Sequence, residues 1–119
     1  MGVPRWLWLA ASILLAVVVA VASLLPPRGT PVAEIADLGE LRAWIGHAIG
    51  YLLLTASAVL AQRVPRPWLT VFLTSAYGVV LEFVQGVLGQ RSAQITDVAA
   101  NVVGALLGLG IAIWIRRRT

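Results

Sequence analysis

The chain has 119 residues, 60% hydrophobic and only 12% charged, with nine basic residues against five acidic ones and a mean hydropathy of +0.90. Soluble domains carry about 25% charged residues, so the composition excludes an ordinary water-soluble fold and points to an integral membrane protein. The positive balance does not imply nucleic acid, because all the basic residues are Arg at the ends of apolar runs, with no basic face of stacking aromatics.

Four apolar runs, about 6–25, 45–62, 68–88 and 98–115, each approach the ~20 residues that cross a hydrocarbon core as helix. They predict an all-α membrane protein with four transmembrane helices, short loops and a single domain over 1–119, with no room for a soluble domain. The first run, Trp6–Leu25, follows a basic start and ends near Ala20-Val21-Ala22, as a signal peptide does. Its length exceeds the 7–15 apolar residues of a signal-peptide core, and Trp6 and Trp8 mark a membrane interface, so a retained helix is expected.

Pro26, Pro27 and Pro31 then break the helix. Beyond them Val32, Ile35, Leu38, Leu41 and Ile45 recur every three or four residues, with Glu34, Asp37 and Glu40 between. This predicts an amphipathic segment lying on the outer surface, as a linker rather than a lid. The second span opens with His47 and, one turn on, Tyr51, and the turn Arg63-Val64-Pro65-Arg66-Pro67 leads into the third. That third span holds Glu82 and Gln85. A charge near the centre of a membrane helix costs on the order of 3 kcal/mol or more, so Glu82 is expected to face protein and to have a role. Arg91 lies in the loop that follows. The fourth span begins at Asp97 and carries Asn101, Gly104 and Gly108 on one helical stripe before the tail Arg116-Arg117-Arg118.

Arginine sets the orientation. With the N-terminus inside, Arg5, Arg63, Arg66 and the three tail arginines are cytoplasmic, against Arg28, Arg42 and Arg91 outside. Both termini are therefore expected in the cytoplasm. His47, Glu82, Gln85, Arg91, Asp97 and Asn101 then all reach the outer side, and that convergence is the argument for a site. Glu82, at ~21 Å along its helix, lies in the outer part of the bilayer. Gly78, Gly86 and Gly89 give the third helix a small-residue stripe like that of the fourth. The simplest arrangement packs these two helices face to face through glycine, and glycine faces also offer a route to a homo-oligomer. Neither a cofactor nor a metal is expected, since cysteine is absent and one His among scattered acids is a weak ligand set.

His47-x-x-x-Tyr51, Glu82-x-x-Gln85, Arg91 and Asp97-x-x-x-Asn101-x-x-Gly104-x-x-x-Gly108 together resemble the VanZ-like family of small bacterial membrane proteins. The resemblance runs from about residue 44 to 110. Many members carry an Asp-Lys pair just before the histidine, where this chain has Ala43-Trp44. The resemblance implies a protein of the bacterial cell (inner) membrane associated with reduced susceptibility to teicoplanin, and it implies no particular reaction.

Three function classes fit. In the first, the outer site binds or modifies a membrane lipid or lipid-linked glycan, with Glu82, Asp97 and His47 as candidate catalytic groups. Arg91, Gln85, Asn101 and Tyr51 would be the binding groups, Arg91 as the donor to a phosphate or carboxylate. The second class is a non-catalytic binding or shielding module using the same cleft. The third is a small proton-coupled exporter with Glu82 as the coupling carboxylate.

Overall fold

The computed structural model describes residues 3–24, 36–88 and 95–118, with backbone alone for 36–43. It is all-helical across them: α1 (Arg5–Leu24), α2 (Ala36–Ala61), α3 (Pro67–Val87) and α4 (Ile95–Arg118). Each contains a stretch long and apolar enough to span a membrane. The first and third spans fall where hydropathy places them, within a residue at either end. α3 begins cleanly because Pro67 follows the N-cap Arg66, where a missing N–H costs nothing.

The second helix is longer than expected. The amphipathic residues from Ala36 onward form the first turns of α2 instead of a separate surface segment. A helix propagates one hydrogen bond per residue whether or not its side chains are apolar, and after Pro31 nothing in the sequence stops it. The part of that segment before Ala36 lies outside the described residues.

Burial is inverted relative to a soluble protein. Large apolar side chains such as Trp6, Ile13, Leu14, Phe72, Phe83 and Leu107 are exposed, whereas Thr55, Ser57, Thr70, Thr74, Glu82, Gln85, Asp97 and Asn101 are buried. In water such a surface would drive aggregation. In lipid it is the low-energy arrangement, since hydrocarbon solvates Leu and Phe and rejects carboxylates and amides. α1 is the most lipid-exposed helix, and Ser12 is its one buried residue. α2 is the centre of the bundle. It packs most extensively on α4, then on α1, while α1 and α4 share no packed interface among the described residues.

The packing of α2 on α4 corrects the glycine pairing expected from sequence. A Cβ on Gly104 would lie 2.2 Å from the Ala48 carbonyl oxygen, and one on Gly108 would lie 2.3 Å from that of Leu52. The α4 glycine stripe therefore admits the backbone of α2, not that of α3. Small residues let helix backbones approach closely, and here the two glycines meet the α2 backbone at Ala48 and Leu52. Below it Ala56, Val59 and Leu60 of α2, Val71 of α3 and Ala105, Leu109 and Ala112 of α4 form the apolar core, with Trp8 and Ile115 packed against it.

Six arginines gather at one end of the bundle. Arg5 Nε donates to the Ala61 carbonyl, and Arg116 donates to the carbonyls of Val59 and Gln62 at 3.4 and 3.2 Å. These carbonyls lie at the C-terminal end of α2, where the negative end of its dipole sits, and that of Val59 also accepts from the Gln62 amide at 3.2 Å. Gln62 orders the adjoining turn by donating to Thr70 Oγ1 at 2.6 Å and accepting from the Arg66 amide at 2.8 Å. Thr55 and Thr74 join α2 to α3 through their hydroxyls at 2.9 Å. Arg116→Ala is expected to lower stability in detergent by about 1 kcal/mol through loss of this cap. Thermal unfolding against Arg117→Ala, an exposed neighbour, measures it, and equal midpoints would reject a capping role.

Candidate functional site

At the end of the bundle away from these arginines, most of the polar residues singled out by sequence come together. Asp97 lies in the first turn of α4, where a carboxylate is favoured by the helix dipole. It is fully buried, and its Oδ2 is 4.0 Å from His47 Nε2 on α2. His47 is half-buried, its side chain 14% exposed. One turn further in on each helix follow Asn101 and Tyr51, both 1% exposed.

These two side chains converge on Gly78 of α3. A Cβ at that position would lie 2.6 Å from Asn101 Nδ2 and 3.0 Å from the Tyr51 hydroxyl. Gly78 is thus a gap in α3 that accepts an amide from α4 and a phenol from α2. Glu82, one turn along α3, is 4% exposed. The arrangement is two stacked layers across α2 and α4, His47–Asp97 above and Tyr51–Asn101 below. α3 closes one side with Gly78 and Glu82. Polar atoms buried this completely interact more strongly than in water, and any left without a partner is correspondingly costly.

Gln85 departs from expectation. It is buried, but its Nε2 donates across the bundle to the Ser23 carbonyl of α1. It therefore sits on the α1 side and not in the α3–α4 seam. There it lines a cavity of about 260 Å³ with Val19, Ala22 and Ser23 of α1 and Gly46, His47, Gly50 and Tyr51 of α2. Gln85 Oε1 has no hydrogen-bond partner among the described residues, and neither does Asn101 Oδ1. Arg91, expected to bind an anion here, lies outside the described residues. Glu82 and Asp97 each make a further interaction beyond those given above. Among the described residues no three His, Asp or Glu side chains cluster as ligands of one metal ion.

Sequence reasoning gave α1 no part in the site, yet α1 walls the cavity and also receives the Tyr77 hydroxyl on the Ala16 carbonyl at 2.5 Å. Two signals were present in the sequence. Ser12 and Ser23 are polar residues in an otherwise apolar helix, and Gly46-x-x-x-Gly50 flanks His47 with the spacing of one helix face. The second marks a face that another helix approaches, and here the approaching helix is α1. A Cβ on Gly50 would touch Val19 at 3.4 Å, while one on Gly46 would meet nothing within 4 Å.

Compared with known proteins, the chain matches a family model described as VanZ/LLP1 over residues 24–116. No curated protein matches it, and no solved structure does.

Proposed function

The chain belongs to the VanZ-like family, and from that premise we propose that it acts at the outer face of a bacterial cell membrane on lipid or lipid-linked envelope components, supporting tolerance of glycopeptides such as teicoplanin. In this reading both termini lie in the cytoplasm. The observation that carries it is the burial of Tyr51, Glu82, Gln85, Asp97 and Asn101 at the end of the bundle opposite Arg5 and Arg116. Burying polar and ionisable side chains in a membrane protein is costly, and such residues by default mark a functional site. The positive-inside rule assigns the arginine-rich end to the cytoplasm and hence the buried cluster to the outside, where glycopeptides act.

The chemistry on offer is proton handling beside a bound head group. His47, held near Asp97, is the candidate proton carrier. Glu82 is a carboxylate sealed from water that can take or give a proton once a ligand replaces its surroundings. Arg91, in the loop leading to α4, is the group to hold a phosphate or carboxylate bidentately.

The test is teicoplanin susceptibility of a Gram-positive host expressing wild type, Glu82→Gln or Arg91→Ala at matched membrane levels. Wild type is expected to raise tolerance. Loss of the effect in Glu82→Gln shows that the Glu82 carboxylate carries function. Loss in Arg91→Ala with Glu82→Gln intact makes the protein a binder without acid–base chemistry. Failure of wild type to protect would overturn the assignment.

A further inference from the structure

The cavity between α1 and α2 is graded in polarity. Its rim is Ala22 and Gly46, both exposed on helix surfaces within candidate spans. Its inner wall is Tyr51 and Gln85, both buried to 2% exposure or less, with half-buried His47 between. The mouth exists because side chains are missing there: beyond Gly46 is open space. An opening whose rim is made of lipid-exposed helix residues is reached sideways from the bilayer, at the depth where α1 ends and the apolar part of α2 begins.

The inner end asks for a donor. Gln85, which lines this end, uses its amide N–H on Ser23, and its Oε1 acceptor is sealed from water and unanswered among the described residues, so a ligand reaches it as the side chain shifts toward the cavity. A buried acceptor without a partner is unfavourable, and a ligand that donates to it recovers that loss. Size limits what that ligand can be. At about 260 Å³ the cavity falls just below the ~300–1,000 Å³ of ordinary small-molecule pockets, too small for a disaccharide with its attached peptide.

We infer that this α1–α2 cavity is a lateral binding site for the small head group of a membrane lipid that carries an O–H or N–H donor, of the glycerol or ethanolamine kind, received by Gln85 Oε1. The head group lies against His47 and Tyr51, and the acyl chains stay in the bilayer past Ala22 and Gly46. The inference rests on the reading that this protein handles lipid, and it narrows that reading from lipid-linked glycans to small-headed lipids.

Phosphatidylethanolamine and phosphatidylcholine separate the idea cleanly, because they have the same charge and differ in the N–H donors that methylation removes. The purified full chain would be equilibrated in detergent with equal amounts of phosphatidylethanolamine, phosphatidylglycerol and phosphatidylcholine, and bound lipid per chain read by native mass spectrometry. One hydrogen bond to an orphaned buried acceptor predicts roughly tenfold preference for a donor-bearing lipid over phosphatidylcholine. The ratio between the two donor lipids names the head group. Gly46→Leu, which fills the mouth without touching a polar residue, is expected to bring the preference below about twofold, whereas Gly46→Ala retains it. If Gly46→Leu fails to fold, Ala22→Leu closes the cavity from the opposite wall.

Equal binding of all three lipids by wild type, or a preference unchanged by either filling variant, would overturn the inference. If filling abolishes the lipid preference but leaves tolerance of teicoplanin intact, the site stands and the functional reading falls. If filling changes nothing while Glu82→Gln still abolishes tolerance, the reading stands and this site falls.

Discussion

Gly104→Ala is expected to separate α2 from α4 and to leave little folded protein. The added Cβ would lie 2.2 Å from the Ala48 carbonyl oxygen and 2.8 Å from its carbonyl carbon and Cα. The obstruction is backbone, so no rotamer change relieves it, and the two helices must move apart by about an ångström. In lipid, apolar surface gains nothing by leaving the solvent, and helix association depends on van der Waals contact, interhelical hydrogen bonds and lipid entropy. Widening this interface therefore removes much of what holds the bundle. Overpacking of a tight contact costs about 1–3 kcal/mol, and a backbone clash belongs at or above the top of that range. Gly110→Ala is the control, since nothing lies within 4 Å of the added carbon. Thermal unfolding in detergent should place Gly104→Ala far below wild type and Gly110→Ala level with it. Matching midpoints for the two variants would mean that α2 and α4 do not approach as closely as described.

Gly78→Ala should behave differently, with the protein present and its function lost. Its Cβ would lie 2.6 Å from Asn101 Nδ2, 3.0 Å from the Tyr51 hydroxyl and 3.1 Å from the adjoining ring carbon. Here the neighbours are side-chain tips, so α3 keeps its place and the amide and phenol swing aside. The stability loss is expected to be about 1 kcal/mol, at the low end for overpacking. The site is less forgiving. Asn101 and Tyr51 form the layer beneath His47 and Asp97, and displacing positioned groups by about 1 Å can lower a rate on the order of a hundredfold. Teicoplanin tolerance at matched membrane levels should drop to that of a host without the protein. Wild-type tolerance from Gly78→Ala would show that the Tyr51–Asn101 layer does not contribute to function. Comparing the two glycines separates what builds the bundle from what builds the site.

The spans were legible in the sequence because hydropathy is a local property. Trp6–Leu25 and Trp68–Leu88 became Arg5–Leu24 and Pro67–Val87. The boundaries that moved most are those where helix continues through polar residues, at Ala36 in α2 and at Ile95 and Arg118 in α4. There hydrogen-bond propagation, not apolarity, sets the end, and Asp97 favours the start of α4 from within its first turn. The inward facing of Glu82, Gln85, Asp97 and Asn101 was legible too, for a carboxylate or amide in a membrane helix has nowhere else to go.

Which helix each would meet was not legible. Gly104 and Gly108 announce that some backbone comes close, and Gly78 announces the same, but a small-residue stripe carries no address. The tertiary structure gives the first pair to α2, turns Gly78 into a seat for Asn101 and Tyr51, and sends Gln85 to α1. Sequence by itself therefore determined the class of protein, its four membrane-crossing helices and the polar residues that must be hidden from lipid, because each follows from a residue's own transfer free energy. Only the tertiary structure decided the helix partners and the cavity between α1 and α2, because those depend on how surfaces from three helices fit, and shape complementarity is not written in any one of them.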